Sequence, residues 1–113
     1  NYLVTGAAGF IGSACAAFLI RGGDMTTIDN LSTGSIERIP QGCKFIRGDV
    51  SDPCVIAQLN GERFDAIIHI AGQSSGEISF DDPVCDLHTN TQSTILLLKY
   101  ALETGCKKFV YAS

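Results

Sequence analysis

The chain has 113 residues, 45% of them apolar and 18% charged, and carries a formal net charge of −4. That is one domain with enough apolar surface for a single core, and it offers no basic surface to neutralise a nucleic-acid backbone. An anionic ligand would therefore be held by backbone amides and helix dipoles rather than by clustered Lys and Arg.

Tyr2-Leu3-Val4-Thr5 reads as a first strand ending in a glycine turn. Ile11 to Arg21 reads as a helix with Ile11, Cys15, Phe18 and Leu19 along one face, stopped by Gly22-Gly23. Met25 to Ile28 is a second strand ending at Asp29, followed by a polar stretch to Gly42 with one helical turn near Ile36. Lys44 to Arg47 is a third strand. Asp52 and Pro53 supply an N-cap and first helical residue for a short helix through Leu59. Phe64 to Ile70 is apolar enough for a central strand covered on both faces. Gly72 to Phe80 is a polar loop. Asp82-Pro83 opens a long helix to about Thr104, closed by Gly105, and Phe109 to Tyr111 is a fifth strand.

Strands alternating with helices imply parallel pairing through right-handed crossovers. The expected fold is α/β, a Rossmann-type doubly wound parallel sheet in the order 3-2-1-4-5. The sequence stops at Ser113, at a strand end with nothing to cover it, so a piece of a longer protein is expected. No segment approaches the ~18 apolar residues of a membrane span, and strand-like residues begin at Tyr2 with no leader before them, which makes the cytoplasm the expected compartment. The five cysteines, at 15, 43, 54, 85 and 106, show no C-x-x-C spacing and read as buried, reduced thiols rather than metal ligands.

Gly6, Gly9 and Gly12 lie three apart between the first strand and the first helix. Gly6 permits a tight turn, Gly9 lets a pyrophosphate reach the backbone, and Gly12 lets the helix pack closely on the sheet. The partial positive charge of that helix start, on the order of half a unit, would replace a lysine. Asp29, 17 residues after Gly12, ends the second strand where an acid can grip an adenosine ribose. Its charge favours NAD over NADP; the blander reading is that it caps a turn. Asp49, with Val50 behind it, either binds an adenine or belongs to a loop with Asp52.

The runs TGAAGFIG (5–12), DNLSTG (29–34), GDV (48–50), HIAG (69–72) and KKFVYAS (107–113) occur in this order, and together they resemble the extended short-chain dehydrogenase/reductase family. The likeness covers essentially the whole chain and is nearest to the NAD-dependent nucleotide-sugar epimerases and dehydratases. It implies that Phe10 and Ile11 give backbone amides to the pyrophosphate. It also implies that Asp29 and Asn30 hold the adenosine ribose, with Ser32, Thr33 and Gly34 around the adenine side. By the same likeness Asp49 and Val50 would bind adenine, and Ile70, Ala71, Gly72 and Gln73 would line the cofactor. Asn90 would orient backbone near the nicotinamide, and Ser113 would lie against its ribose. His69 is implied to be structural.

The family's Tyr-x-x-x-Lys pair and C-terminal substrate domain are missing. Tyr2, Tyr100 and Tyr111 are the only tyrosines, and none has a Lys four residues on. No catalytic and no metal-binding residue is expected within the 113, and the piece alone should not turn over. The parent would remove and return a hydride at a carbon of a nucleotide sugar. The alternatives are a 4,6-dehydratase and a non-catalytic NAD-binding module. A homodimer through the long helix is the expected partner arrangement, and the apolar run Ile95 to Leu98 is expected to pack mostly on the sheet.

Overall fold

The computed structural model describes residues 1–71 and 83–112, without the side chains of 85–89. Short β-branched runs form β1 (Tyr2–Thr5), β2 (Met25–Asp29), β3 (Lys44–Arg47), β4 (Ala66–His69) and β5 (Phe109–Tyr111). They make one parallel sheet, as the alternating pattern implies, in the order expected of a Rossmann-type unit, β3-β2-β1-β4-β5. Val4 stands opposite Thr27 on one side and Ile68 on the other. All five residues of β2 and all four of β4 are buried, which is why these runs lack polar alternation.

Each face of the sheet has its own core. Leu3, Ile28, Ile46 and Ile67 pack with Val55, Leu59, Leu97 and Tyr100. Val4, Met25, Ala66 and Ile68 pack with Ala7 and Ala16. The first group is covered by α2 (Pro53–Ala57) and α4 (Ser93–Thr104), the second by α1 (Phe10–Leu19).

Helix α1 sits rotated from the expected face. Gly12 and Ala16 are its buried residues, with Cys15 and Leu19 packed beside them, while Ile11 and Phe18 are 67% and 72% exposed. Gly12 lies directly against the backbone of Gly6, so the helix presents its small residues to the sheet and turns the larger ones outward.

The expected long helix is not continuous. α3 (Pro83–Asp86) leads into a wider, π-type stretch at Leu87–Gln92 before α4 begins. In that polar stretch the Thr94 hydroxyl donates to the Asn90 carbonyl at 2.7 Å, and the Gln92 amide donates to the Ser51 carbonyl at 3.0 Å. Of the apolar run in α4, Leu97 is fully buried and Leu96 packs on the core, but Ile95 and Leu98 are 59% and 42% exposed.

The shorter elements end early. β4 spans four residues rather than seven, and α2 stops at Ala57. Asp52 caps α2 as expected, its carboxylate accepting from Cys54 N at 2.9 Å. The described cysteines are free thiols, yet none is fully buried: Cys15, Cys43 and Cys106 are half-buried and Cys54 is exposed. Cys85 lies outside the described side chains.

Gly105 closes α4 at φ 78° and ψ 22°, with open space where a Cβ would stand. Gly105→Ala should therefore cost only the left-handed backbone penalty, about 1 kcal/mol, read as a lower urea midpoint with an unchanged slope.

Candidate dinucleotide site

The chain crosses from β1 outward to β2 and β3, then returns to place β4 and β5 on the other side. The strand order therefore switches direction between β1 and β4, and in open α/β sheets it is at the carboxyl ends of the strands beside such a switch point that a ligand crevice forms. Gly6 turns the chain out of β1 at φ +75°, its N–H donating to the Ile28 carbonyl at 2.9 Å. A Cβ on Gly6 would lie 2.7 Å from Ala71 N, and one on Gly12 would lie 1.9 Å from the Gly6 carbonyl oxygen. The fold itself requires those two glycines.

Gly9 is different. Its φ is −81°, and a Cβ there would meet only the Gly6 oxygen, at 3.4 Å, an ordinary contact. Nothing within the described protein demands a glycine at this position. Gly9 is also the N-cap of α1, which has no side-chain cap and no acid in its first turn. Exposed Phe10 and Ile11 follow. A bare backbone and an uncapped helix start are what a diphosphate needs.

Asp29 is 9% exposed at the end of β2. Its Oδ2 accepts from Ala8 N at 3.0 Å and its Oδ1 from Leu31 N at 2.7 Å. The turn-capping reading is thus present in the geometry, and it bolts the glycine loop to the neighbouring strand. Each carboxylate oxygen keeps capacity for a further donor, so the same group can receive ribose hydroxyls. The next turn is built alike: Asn30 Oδ1 accepts from Ser32 N at 3.0 Å, and Leu31 takes φ 61°. Ser32 and Thr33 are exposed. Gly34 has a steric reason of its own, since a Cβ would fall 2.5 Å from the Ala8 carbonyl oxygen.

Asp49 is exposed, and its Oδ1 accepts from both the amide and the hydroxyl of Ser51, at 2.8 and 2.7 Å. The Val50 side chain is 4% exposed and belongs to the core, so it faces the protein interior rather than the crevice. Ile70 and Ala71 are half-buried beside Gly6. Asn90 lies in the widened turn before α4. Hydrogen bonds and close packing thus bring Gly6–Gly12, Asp29–Gly34 and Ile70–Ala71 together. Gly72, Gln73 and Ser113 lie outside the described residues.

Two residues that spacing could not flag stand beneath this crevice. The Thr5 hydroxyl lies 2.7 Å from His69 Nδ1 and accepts from Ile70 N and Ala71 N, each at 3.2 Å. The Ser93 hydroxyl, on α4, lies 3.2 Å from His69 Nε2. His69 and Thr5 are 64 positions apart in the chain, so no local pattern announces the contact.

Burial pushes the His69 imidazole down from 6.5 to about 4, which keeps it neutral at ordinary pH. Unfolded, it protonates near 6.5, so between 6.5 and 4 the unfolded chain binds more protons. His69's contribution, on the order of 3 kcal/mol, is complete above pH ~6.5, declines as pH drops, and levels off below pH ~4. Denaturation midpoints measured across that window should slope accordingly, and His69→Asn should remove that part of the slope.

Tyr100 cannot serve as a base. Its hydroxyl donates to the Glu62 carbonyl at 2.6 Å, and burial, with the nearby Glu62 charge, raises it to about 12.

A doubly wound parallel sheet with a glycine turn at its crevice and an acid closing the next strand defines a Rossmann-type unit. This chain is a member of that class. It belongs to the NAD dependent epimerase/dehydratase family, whose model matches residues 2–113. It is 37% identical over 113 residues to UDP-glucose 4-epimerase of Corynebacterium glutamicum, covering 98% of this chain and 34% of that protein. Its fold matches the UDP-glucose 4-epimerase of Thermus thermophilus in complex with NAD at a TM-score of 0.92 and 38% identity, over 99% of this chain and 37% of that one. The enzyme of Thermotoga maritima with UDP-glucose matches at 0.95 and 35%, over 100% and 37%. The chain thus spans about a third of the length of these relatives.

Proposed function

We propose that this segment is the NAD-binding part of a nucleotide-sugar epimerase, with residues 1–113 forming the N-terminal portion of its Rossmann domain. The observation that carries the reading is Gly9: its side chain is dispensed with where the fold has no need of it, at an uncapped helix start tied to Asp29. In this reading the amides of Phe10 and Ile11 face the pyrophosphate. Asp29 and Asn30 take the adenosine ribose, with Ser32, Thr33 and Gly34 on the adenine side, where Asp49 and the Val50 backbone meet the base. Ile70, Ala71, Gly72 and Gln73 line the inner end, with Asn90 and Ser113 toward the nicotinamide.

Bound there, NAD would supply the hydride acceptor and donor for a sugar carbon that passes through a ketone. The chain's own residues bind and orient; the proton-transferring Tyr and Lys and the sugar-recognising part belong to the remainder of the enzyme. The exposed Ile95, Leu98 and Leu102 on α4 support a homodimer through this helix. The free thiols fit a reducing compartment, hence the cytoplasm.

The test is calorimetric titration of the full-length protein with NAD and NADP, followed by incubation with UDP-glucose. Tight NAD binding and appearance of UDP-galactose are expected. The family also contains dehydratases; loss of water to give a 6-deoxy-4-keto sugar would replace the epimerase reading with that one.

A further inference from the structure

The buried polar groups beneath the crevice have a definite direction. Thr5 Oγ1 accepts from Ala71 N and from Ile70 N, the latter N–H shared with the Thr5 carbonyl at 3.3 Å, so both backbone neighbours of the hydroxyl are donors and neither can take its proton. Its own proton must therefore go to His69 Nδ1, 2.7 Å away. A neutral imidazole that accepts at Nδ1 carries its hydrogen on Nε2. That hydrogen points at the Ser93 hydroxyl, 3.2 Å away on α4. All three side chains are at most 1% exposed, so water does not substitute for a missing partner. At the other end the chain terminates on the Ile70 and Ala71 amides, the backbone against which Gly6 packs with no room for a Cβ.

The geometry points to Ser93 and His69 as positioning residues: a one-way hydrogen-bond chain, Nε2–H to Ser93 and Thr5 O–H to Nδ1, sets the β4 exit against the glycine loop. The first residue of α4 thereby bears on the backbone that packs against Gly6. Interiors are close-packed, so a shift at Ser93 is not absorbed locally. The link to ligand rests on the proposed dinucleotide function; the direction of the chain does not.

The experiment uses the full-length protein with 15N-labelled histidine, His69 being assigned by its loss in His69→Asn. A pyrrole-type Nε2 and pyridine-type Nδ1 are expected, unchanged between pH 5 and 8. Ser93→Ala should mix the tautomers and weaken NAD binding about fivefold, and Ser93→Thr should restore both. A hydrogen on Nδ1 in the wild type would overturn the proposal. So would a Ser93→Ala variant that lowers only the melting temperature and leaves tautomer and NAD affinity as they were. Should the wild type bind no NAD, the dinucleotide reading falls, and the tautomer measurement still decides the direction of the chain.

Discussion

Gly12→Ala should destabilise the protein by about 3 kcal/mol and abolish dinucleotide binding, while Gly9→Ala should leave stability within about 0.5 kcal/mol and lose only the ligand. The two glycines stand three residues apart, yet they answer to different forces. At position 12 a methyl group would sit 1.9 Å from the Gly6 carbonyl oxygen and 2.6 Å from its carbon, both backbone atoms. Relief requires moving α1 off the sheet or distorting the Gly6 turn, and either change disturbs the core around Ala7 and Ala16. At position 9 the methyl would find ordinary space and an acceptable φ. What it would occupy is the approach to the helix start, where a diphosphate oxygen would lie. Denaturation curves and NAD titrations on both variants separate the two effects. A Gly9→Ala protein that binds NAD as tightly as the wild type would remove the main support for the phosphate site.

Asp29→Asn should cost about 2 kcal/mol of stability and narrow the preference for NAD over NADP at least tenfold. Both carboxylate oxygens accept a backbone N–H, from Ala8 and Leu31. An amide offers one oxygen and turns an NH2 group toward the other donor, and the site is nearly closed to water. The selectivity follows from charge: a phosphate unit charge ~4 Å from the carboxylate is disfavoured by about 4 kcal/mol at an effective dielectric of about 20. The first basic residue after Asp29 is Arg38, on an exposed turn. Calorimetry with both dinucleotides measures the preference. Equal affinities in the wild type would show that Asp29 serves only to tie the loop.

Much of the architecture was legible from local pattern. Strand runs, the Asp52-Pro53 helix start and the Gly105 stop depend on neighbours within a turn or two, and each lies where expected, save that β4 is shorter at both ends. The orientation of α1 was not legible, because hydrophobicity alone pointed Ile11 and Phe18 inward while a backbone contact at Gly12 decided otherwise. The break in the long helix also escaped: within it the Gln92 amide reaches the Ser51 carbonyl, far back in the chain, a contact no local pattern announces.

By itself the sequence determined the alternation of strands and helices, the glycine turn and the acid that follows it, because spacing along the chain carries that information directly. Tertiary structure alone decided that Gly34 yields to Ala8, that Val50 turns into the core, and that Thr5, His69 and Ser93 meet. Those contacts join residues distant along the chain, and only packing brings them within reach of one another.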